Sequence, residues 1–453
     1  MPFYRHAEGI GKVKALTFDF LRGLEEPARV KIVPHEGHPR VYFQITGPRD
    51  IGGLCRGRAV EELPRILSIL SPAHHLASAL ALDKLFGVEP PPMAVHMREA
   101  LLQTLFFENH LRKIFFLISS RFNPLLSPLW QENGPNGAQP APHILNEIMG
   151  HVAIAQEAVT ILGGRPDHPL SAIVGGVSRF LKEENYERLS QIADSCLKFS
   201  IRLGETLGRE MLGKGRAFSE LTDFTIPPLP FITAAAEKNA ITLRDQTGKE
   251  LDRFSADQIF QKIGLHRESW SYEPFAYIKD SSGGPELKDL VGIQGLSYNQ
   301  CFFVGPLARL NRDTALTPLA EEGRQRLLKD LGPLPRFDLS YAYWSIFLEI
   351  LQSAEKMAGS FQKEKLTGPE TRTIPTAMGR EGQAVLESPR GLIYHHYTVD
   401  EKGLVKDIAV LDTATENNAL RCLLAQKTAE IAQTKKQTTQ EMKNFLELVL
   451  LPF

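Results

Sequence analysis

The chain has 453 residues, enough for two or three ordinary domains or one large composite one. At 43% hydrophobic and 23% charged residues it can bury a sizeable core, and no stretch is polar enough to read as disordered. A net charge of −1 provides neither a basic footprint for nucleic acid nor a polybasic patch for a membrane surface. The opening MPFYRHAEGIGKVKALTF carries charges where a signal peptide needs an apolar run. Nowhere do about 18 apolar residues follow one another without charge, so a cytoplasmic protein with no membrane span is expected. Cys55, Cys196, Cys301 and Cys422 are scattered, with no C-x-x-C among them. Their spacing supports neither a zinc site nor a disulfide framework; buried, inert thiols are expected, and a cluster assembled from distant positions stays open.

In chain order, ALTFDF, ARVKIV and RVYFQIT alternate apolar and polar residues between turn signals and read as strands. From about Val60 the period changes to that of a helix through VEELPRILSIL and HHLASALALDKLF, until VEPPP stops it. MREALLQTLFFENHLRKIFFLIS is apolar around much of its circumference, as a helix buried in a bundle would be. Residues 123–143 read as a Pro/Gly-rich loop, and helical patterns return at about 144–163 and 177–213. AITLRDQTGKELDRF predicts a hairpin turning at Gln246–Gly248. Helices follow at about 317–331 and 339–360, then a second hairpin turning at Asp400–Gly403, then a helical stretch over 417–450. No repeat is visible. The layout is a predominantly helical α+β fold, expected as one composite domain over 1–453. Its parts are a strand-rich 13–55, a helical core 60–213, a strand and loop insertion 216–312, and helices with a C-terminal hairpin over 317–453. Contacts between the two ends are expected to hold these parts together.

Six segments, in order, carry a resemblance: CRGRAVEELPRI at 55–66, SPAHHLASALALDKLFGVEPPP at 71–92, GGRPDHPLSAIVGGVSRF at 163–180, VGPLARLN at 304–311, ESPRGLIYHHYTVDEKG at 387–403 and TENNA at 415–419. They resemble the large subunit of nickel–iron hydrogenases, nearest the cytoplasmic F420-non-reducing type that works beside heterodisulfide reductase. The resemblance runs from about residue 15 to the C-terminus. It implies a central helix bundle flanked by strand-rich N- and C-terminal segments.

The departures from the family pattern are chemical. Its first metal motif, R-I-C-G-I-C-P-x-x-H, corresponds to Arg65 through His74, where both cysteines are replaced, by Leu67 and Leu70. Its second pair lies in a D-P-C-x-x-C motif, and this chain ends at Phe453 where that aspartate is due, so the pair is expected to be absent. Nickel and iron of this kind need soft, anionic, bridging thiolates, and an isobutyl group has no lone pair. No metal is therefore expected on this chain, with iron–sulfur clusters in a partner subunit. Leu67 and Leu70 are expected to plug the vacated cavity beside a face that docks that partner. Glu25 is what remains of an R-x-E-G-H motif whose glutamate feeds a proton path in the family; a solvated or capping carboxylate is the plainer reading. Ala414 falls where the family has a hydroxyl donor, although a shift of one residue would restore one from Thr413 or Thr415.

Arg390, in SPRG, matches an arginine held over the metals; its plainer role is to bond backbone carbonyls, with a carboxylate or water network facing it. His74, four residues after Leu70, is expected on the same helical face, as a satisfied core histidine or as part of a ligand or proton site. His395 and His396 point to opposite faces of a strand and read as structural. The glycines of GGVSRF read as a close backbone approach, not a phosphate loop, and there is no dinucleotide fingerprint, nucleophile elbow or zinc motif. The leading functional expectation is a non-catalytic large-subunit paralogue, an interaction subunit beside an iron–sulfur small subunit in a cytoplasmic electron-transfer complex, with heterodisulfide-reductase-like subunits as further partners. One alternative is a hydrogenase assembly scaffold. Another is a redox enzyme with a repurposed cavity, as in the complex I relative, although HHLASA keeps the hydrogenase pattern.

Overall fold

A computed structural model of the chain describes residues 15–19, 27–35, 38–47, 50–119, 140–211, 221–234, 239–281 and 283–453. Three strands open it: β1 (Leu16–Asp19), β2 (Ala28–His35) and β3 (His38–Ile45), antiparallel in that order. Val30 and Ile32 on β2 and Val41, Phe43 and Ile45 on β3 are buried, while the residues between them are not, so one face of the sheet is a core face.

Helix α1 (Pro72–Leu85) starts with an extended Ser71 and a proline in its first turn, where the missing N–H costs nothing. Ala73, Ala77, Ala79 and Ala81 let strand backbone approach it closely, and most of its circumference is buried. Helix α2 (Pro92–Ile118) follows, then α3 (Pro140–Gly163), which packs along α2. Residues 123–139 of the expected loop lie outside the described residues.

A short hairpin, β4 (Ala172–Ile173) and β5 (Gly176–Val177), stands where the sequence suggests the start of a helix; α4 (Glu183–Met211) begins only at Glu183. Gly175 and Gly176 have φ of +73° and +159°, which break a helix and turn a hairpin. Arg98 on α2 holds this hairpin by donating to Ile173 O at 2.6 Å and Gly176 O at 2.7 Å, while also pairing with the buried Asp83 of α1.

Next come β6 (Phe231–Ala234), β7 (Ala240–Arg244) and β8 (Glu250–Ser255), an antiparallel meander containing the first expected hairpin, and the pair β9 (Ile263–His266) and β10 (Phe275–Ile278). Helices α5 (Pro318–Leu331) and α6 (Leu339–Ser360) agree with the sequence, and α6 lies against α2 and α4. The second hairpin is the middle of a three-stranded sheet, β11 (Glu381–Glu387), β12 (Leu392–Val399) and β13 (Val405–Leu411), which packs on α1.

The stretch expected as one helix is two, α7 (Asn418–Thr434) and α8 (Thr439–Leu450). Lys436 at φ +52° ends the first, and Thr438 with Glu441 forms a capping box that starts the second. Helix α7 covers the N-terminal sheet: Val41 N–H donates to Gln426 Oε1 at 3.0 Å, and Gln426 Nε2 donates to Pro39 O at 2.6 Å. Residues of both ends of the chain thus share one core.

Candidate functional site

Where the first turn of α1 meets the loops before β12 and after β13, a cavity of about 370 Å³ opens. Its walls are the turn from Ser68 to His74, the side of α2 carrying Glu108, Asn109 and Arg112, and loops bearing Asp167, His168, Arg390 and Asp412.

Leu67 and Leu70 do not plug it together. Leu67 is 0% exposed and points into a separate cluster with Cys55, Leu63, Leu82 and Tyr397. Leu70 is half-buried and lines the cavity. Residues 68–70 form a tight turn, with Leu70 N–H donating to Leu67 O at 3.0 Å, and the extended Ser71 then restarts the chain. Leu70 and His74 therefore do not share a helical face as expected, because no helix connects them, yet both reach the cavity. The turn is pinned from beneath. His75 Nδ1–H donates to Pro64 O at 2.9 Å, and His75 Nε2 accepts Ala172 N–H at 2.9 Å. Burial pushes His75 down to about 4, so the ring is neutral and serves both bonds.

His74 anchors the cavity floor. Its Nε2 lies 3.3 Å from Asp412 Oδ2 and its Nδ1 lies 2.9 Å from His395 Nε2. His395 Nδ1 bonds the Tyr397 hydroxyl, whose oxygen lies 2.8 Å from that of Ser78. All five side chains are buried. Burial, then the neighbouring His74, drives His395 well below the ordinary histidine range, against the pull of Asp412; burial likewise holds the Tyr397 hydroxyl well above its usual range. His395 belongs to the site, a membership the sequence reading missed. His396 faces the opposite side of β12, beside Glu381, as expected. The available signal was a spacing: His395 and Tyr397 two apart on a strand, facing His74 and Ser78 four apart on a helix.

Asp412 also accepts the Ala414 N–H at 3.1 Å and so caps the turn Thr413–Glu416. Ala414 is fully buried and does not line the cavity, whereas its neighbour Thr413 does. Behind Asp412 lies Glu416. Burial, then the carboxylates of Asp412 and Glu387, raise its carboxyl well above the usual range, and its Oε2 has no hydrogen-bond partner. Both causes favour the protonated form of Glu416.

Arg390 lines the cavity from a loop that VGPLARLN clamps. Arg309 donates to Glu387 Oε1 at 2.7 Å, Ser388 O at 3.0 Å and Pro389 O at 2.9 Å, and grips Glu349 with two nitrogens. A side chain at Gly305 would strike the Arg390 carbonyl, and one at Gly391 would strike Val304. Glu25 lies outside the described residues.

The donor set does not fit a thiolate-held nickel–iron pair. Neither leucine offers an electron pair, and among the described residues no three His, Cys, Asp or Glu side chains come together as ligands. All four cysteines are buried and none lines the cavity. Burial lifts Cys55 to about 11 and Cys196, Cys301 and Cys422 to about 12, so these thiols stay protonated and inert near neutrality.

No family model matches the chain. Among curated relatives it is 26% identical over 435 residues to an iron-sulfur subunit of the F420-non-reducing hydrogenase of Archaeoglobus profundus, covering 91% of this chain and 86% of that one. It is 27% identical over 414 residues to a vhu subunit of the F420-non-reducing hydrogenase of Methanocaldococcus jannaschii, covering 89% and 95%. Among solved structures, a NAD+-reducing [NiFe]-hydrogenase in the H2-reduced state superimposes with a TM-score of 0.81 at 22% identity, over 97% of both chains. A [NiFeSe] hydrogenase from Desulfovibrio vulgaris Hildenborough gives 0.70 at 17% identity, over 98% of both. These likenesses run nearly the whole length of the chain, and the fold is that of nickel–iron hydrogenase large subunits.

Proposed function

We propose that this chain is a large-subunit paralogue that has given up the nickel–iron centre and serves as an interaction subunit beside an iron–sulfur small-subunit-like protein in a cytoplasmic electron-transfer assembly. The observation that carries this is the pair Leu67 and Leu70 at the family's first thiolate positions, one turned into the core and the other lining the cavity without a donor atom. The retained clamp of Arg309 on the Arg390 loop supports a role that still needs the old scaffold. Ile69, 57% exposed at the cavity rim, and Phe180, exposed at the end of GGVSRF, are apolar surface suited to a docked chain. Heterodisulfide-reductase-like subunits are the further partners that the likeness to F420-non-reducing hydrogenases suggests. Among the described residues no helix is long and apolar enough to cross a membrane. Anaerobic purification from the native source, with metal analysis and identification of co-eluting chains, tests this. The expected result is a co-purifying iron–sulfur protein and far less than one nickel per chain. Stoichiometric nickel, or a monodisperse chain with no partner, would overturn it.

A second reading has one observation of its own. The cavity remains open, and its floor carries a buried His74–Asp412 pair, as a site repurposed for a new ligand would.

A further inference from the structure

One face of α2 borders a second cavity, which shares no lining residue with the first. Val95, Glu99, Leu102 and Gln103 repeat at helical spacing and fall on that face. Leu76 and Leu80, four apart on α1, stand opposite, and Val385 and Leu386 of β11 close a third side. The space between them is about 670 Å³, within the roughly 300–1,000 Å³ of small-molecule sites, and its wall is mostly apolar.

The charged and polar side chains at its border fall into two groups. Lys84, Glu89 and Glu99 are exposed at the rim. The others turn inward, and the protein engages them. Asp83 accepts the Gly175 N–H at 2.7 Å and pairs with Arg98, which also donates to Ile173 O and Gly176 O. Glu387 accepts the Ala234 N–H and an Arg309 N–H, each at 2.7 Å, and Asn239 accepts the Val385 N–H at 3.1 Å. Gln103 is the exception. It is 7% exposed and lines the cavity, and its side-chain amide has no hydrogen-bond partner among the described residues. The comparably buried Gln426, by contrast, bonds Val41, Pro39 and Glu430. An amide withdrawn from bulk water without a bond is costly, so the Gln103 side chain is a feature that the fold itself does not use.

The chemistry of what would use it follows from the wall. Water satisfies an amide but gains nothing from leucine and valine, whereas a molecule with an apolar body is favoured by both. That molecule is uncharged, because Asp83 with Arg98 and Glu387 with Arg309 already neutralise the inward charges, and a further ion would be buried without a partner. Gln103 presents an N–H donor and a carbonyl acceptor side by side, a pattern that a second carboxamide meets with two bonds at once.

We propose that this second cavity is a binding site for an uncharged, largely apolar carboxamide, and that Gln103 recognises its amide group. The proposal goes beyond the interaction role given above and does not depend on it.

The probe is 2-naphthamide, added to the full chain and followed by equilibrium dialysis. Two molecules of the same body serve as comparators: 2-naphthoate, which carries a charge, and 2-methylnaphthalene, which carries no polar group. Saturable binding of 2-naphthamide at one site per chain is expected, with 2-naphthoate weaker by at least about tenfold. Gln103→Leu should weaken 2-naphthamide about tenfold or more, the worth of two lost hydrogen bonds, and leave 2-methylnaphthalene as tight or tighter. The same variant should keep or raise the urea midpoint, since it removes an amide with no protein partner; a clear fall would show that the amide serves the fold and would sink the proposal. Leu80→Trp, which fills the cavity from α1, should abolish binding of 2-naphthamide. No saturable binding, 2-naphthoate bound as tightly as the amide, an unchanged preference in Gln103→Leu, or undiminished binding in Leu80→Trp would each overturn it.

Discussion

Leu67 is fully buried among Cys55, Leu63 and Tyr397, whereas Leu70 lines the cavity, so the same substitution has unequal consequences at the two positions. Leu70→Cys should react readily with a maleimide in the folded protein, and Leu67→Cys should not. The four native thiols are buried and protonated, so the background is low. Labelling followed by mass spectrometry reads this directly; equal labelling at both positions would mean that the turn at 68–70 is misplaced. His75 gives a second prediction. Its folded pKa, about 4, lies below the 6.5 of the unfolded chain, because burial, aided by the charges of Arg98 and Arg65, outweighs the Pro64 hydrogen bond that favours the charged ring. Above pH 6.5 both states are neutral; below it only the unfolded state gains a proton, so stability is lost as pH falls from 6.5 towards 4. The loss is roughly 3 kcal/mol by linkage, and the fully buried His110, also pushed down to about 4, adds a loss of the same sign. Urea midpoints measured across this range should fall steeply in the unaltered protein and less steeply in His75→Gln.

The hairpin β4–β5 shows what a sequence pattern can and cannot carry. The two glycines of GGVSRF were legible as a close backbone approach. The structure supplies the partner: side chains at Gly175 and Gly176 would strike the backbone of Thr373 and of Thr371 and Arg372. That strap is tied by Val177 N–H to Thr371 O at 2.8 Å and Thr373 N–H to Gly175 O at 2.9 Å. What the pattern could not show was a partner nearly 200 residues away, and so the helix was begun too early. The expectation that Leu70 and His74 share a helical face failed although a signal was present, since Pro72 marks a first turn and not a helix interior. The strands, the long helices and both hairpins were legible because each repeats one period over many residues. The relay from Asp412 to Ser78 was not, because it joins a turn, a helix and a strand far apart in sequence. Gly176→Ala should cost about 2 kcal/mol or more through backbone strain and collision. Its signature is local: limited proteolysis should cut faster around 371–373 than elsewhere, and an unchanged cleavage pattern would contradict the packing described.

At the scale of the whole molecule, the question is whether the strand-rich ends and the helical centre unfold as one body. The ends are stitched together by Gln426 bridging Pro39 and Val41, and by the Arg421 guanidinium stacked 5.7 Å from the Phe43 ring. The same arginine donates to Phe453 O at 2.6 Å, and Lys113 on α2 donates to Pro452 O at 3.0 Å, so the central bundle is held to the last residues as well. The four cysteines report on this network from different places. Cys55 lies in the cluster beneath β12, Cys196 is on α4 in the bundle, and Cys301 and Cys422 lie where β3, α7 and the middle of the chain meet. Each is shielded only while its own surroundings stay packed. In one cooperative body all four become reactive at the same urea concentration, because none can be exposed without opening contacts shared with the rest. Pulsed alkylation across a urea series, resolved by cysteine, should therefore give four superimposable transitions. A Cys422 transition at clearly lower urea than that of Cys196 would show that the N-terminal sheet and α7 form a separate unit, and the single composite domain would have to be divided there.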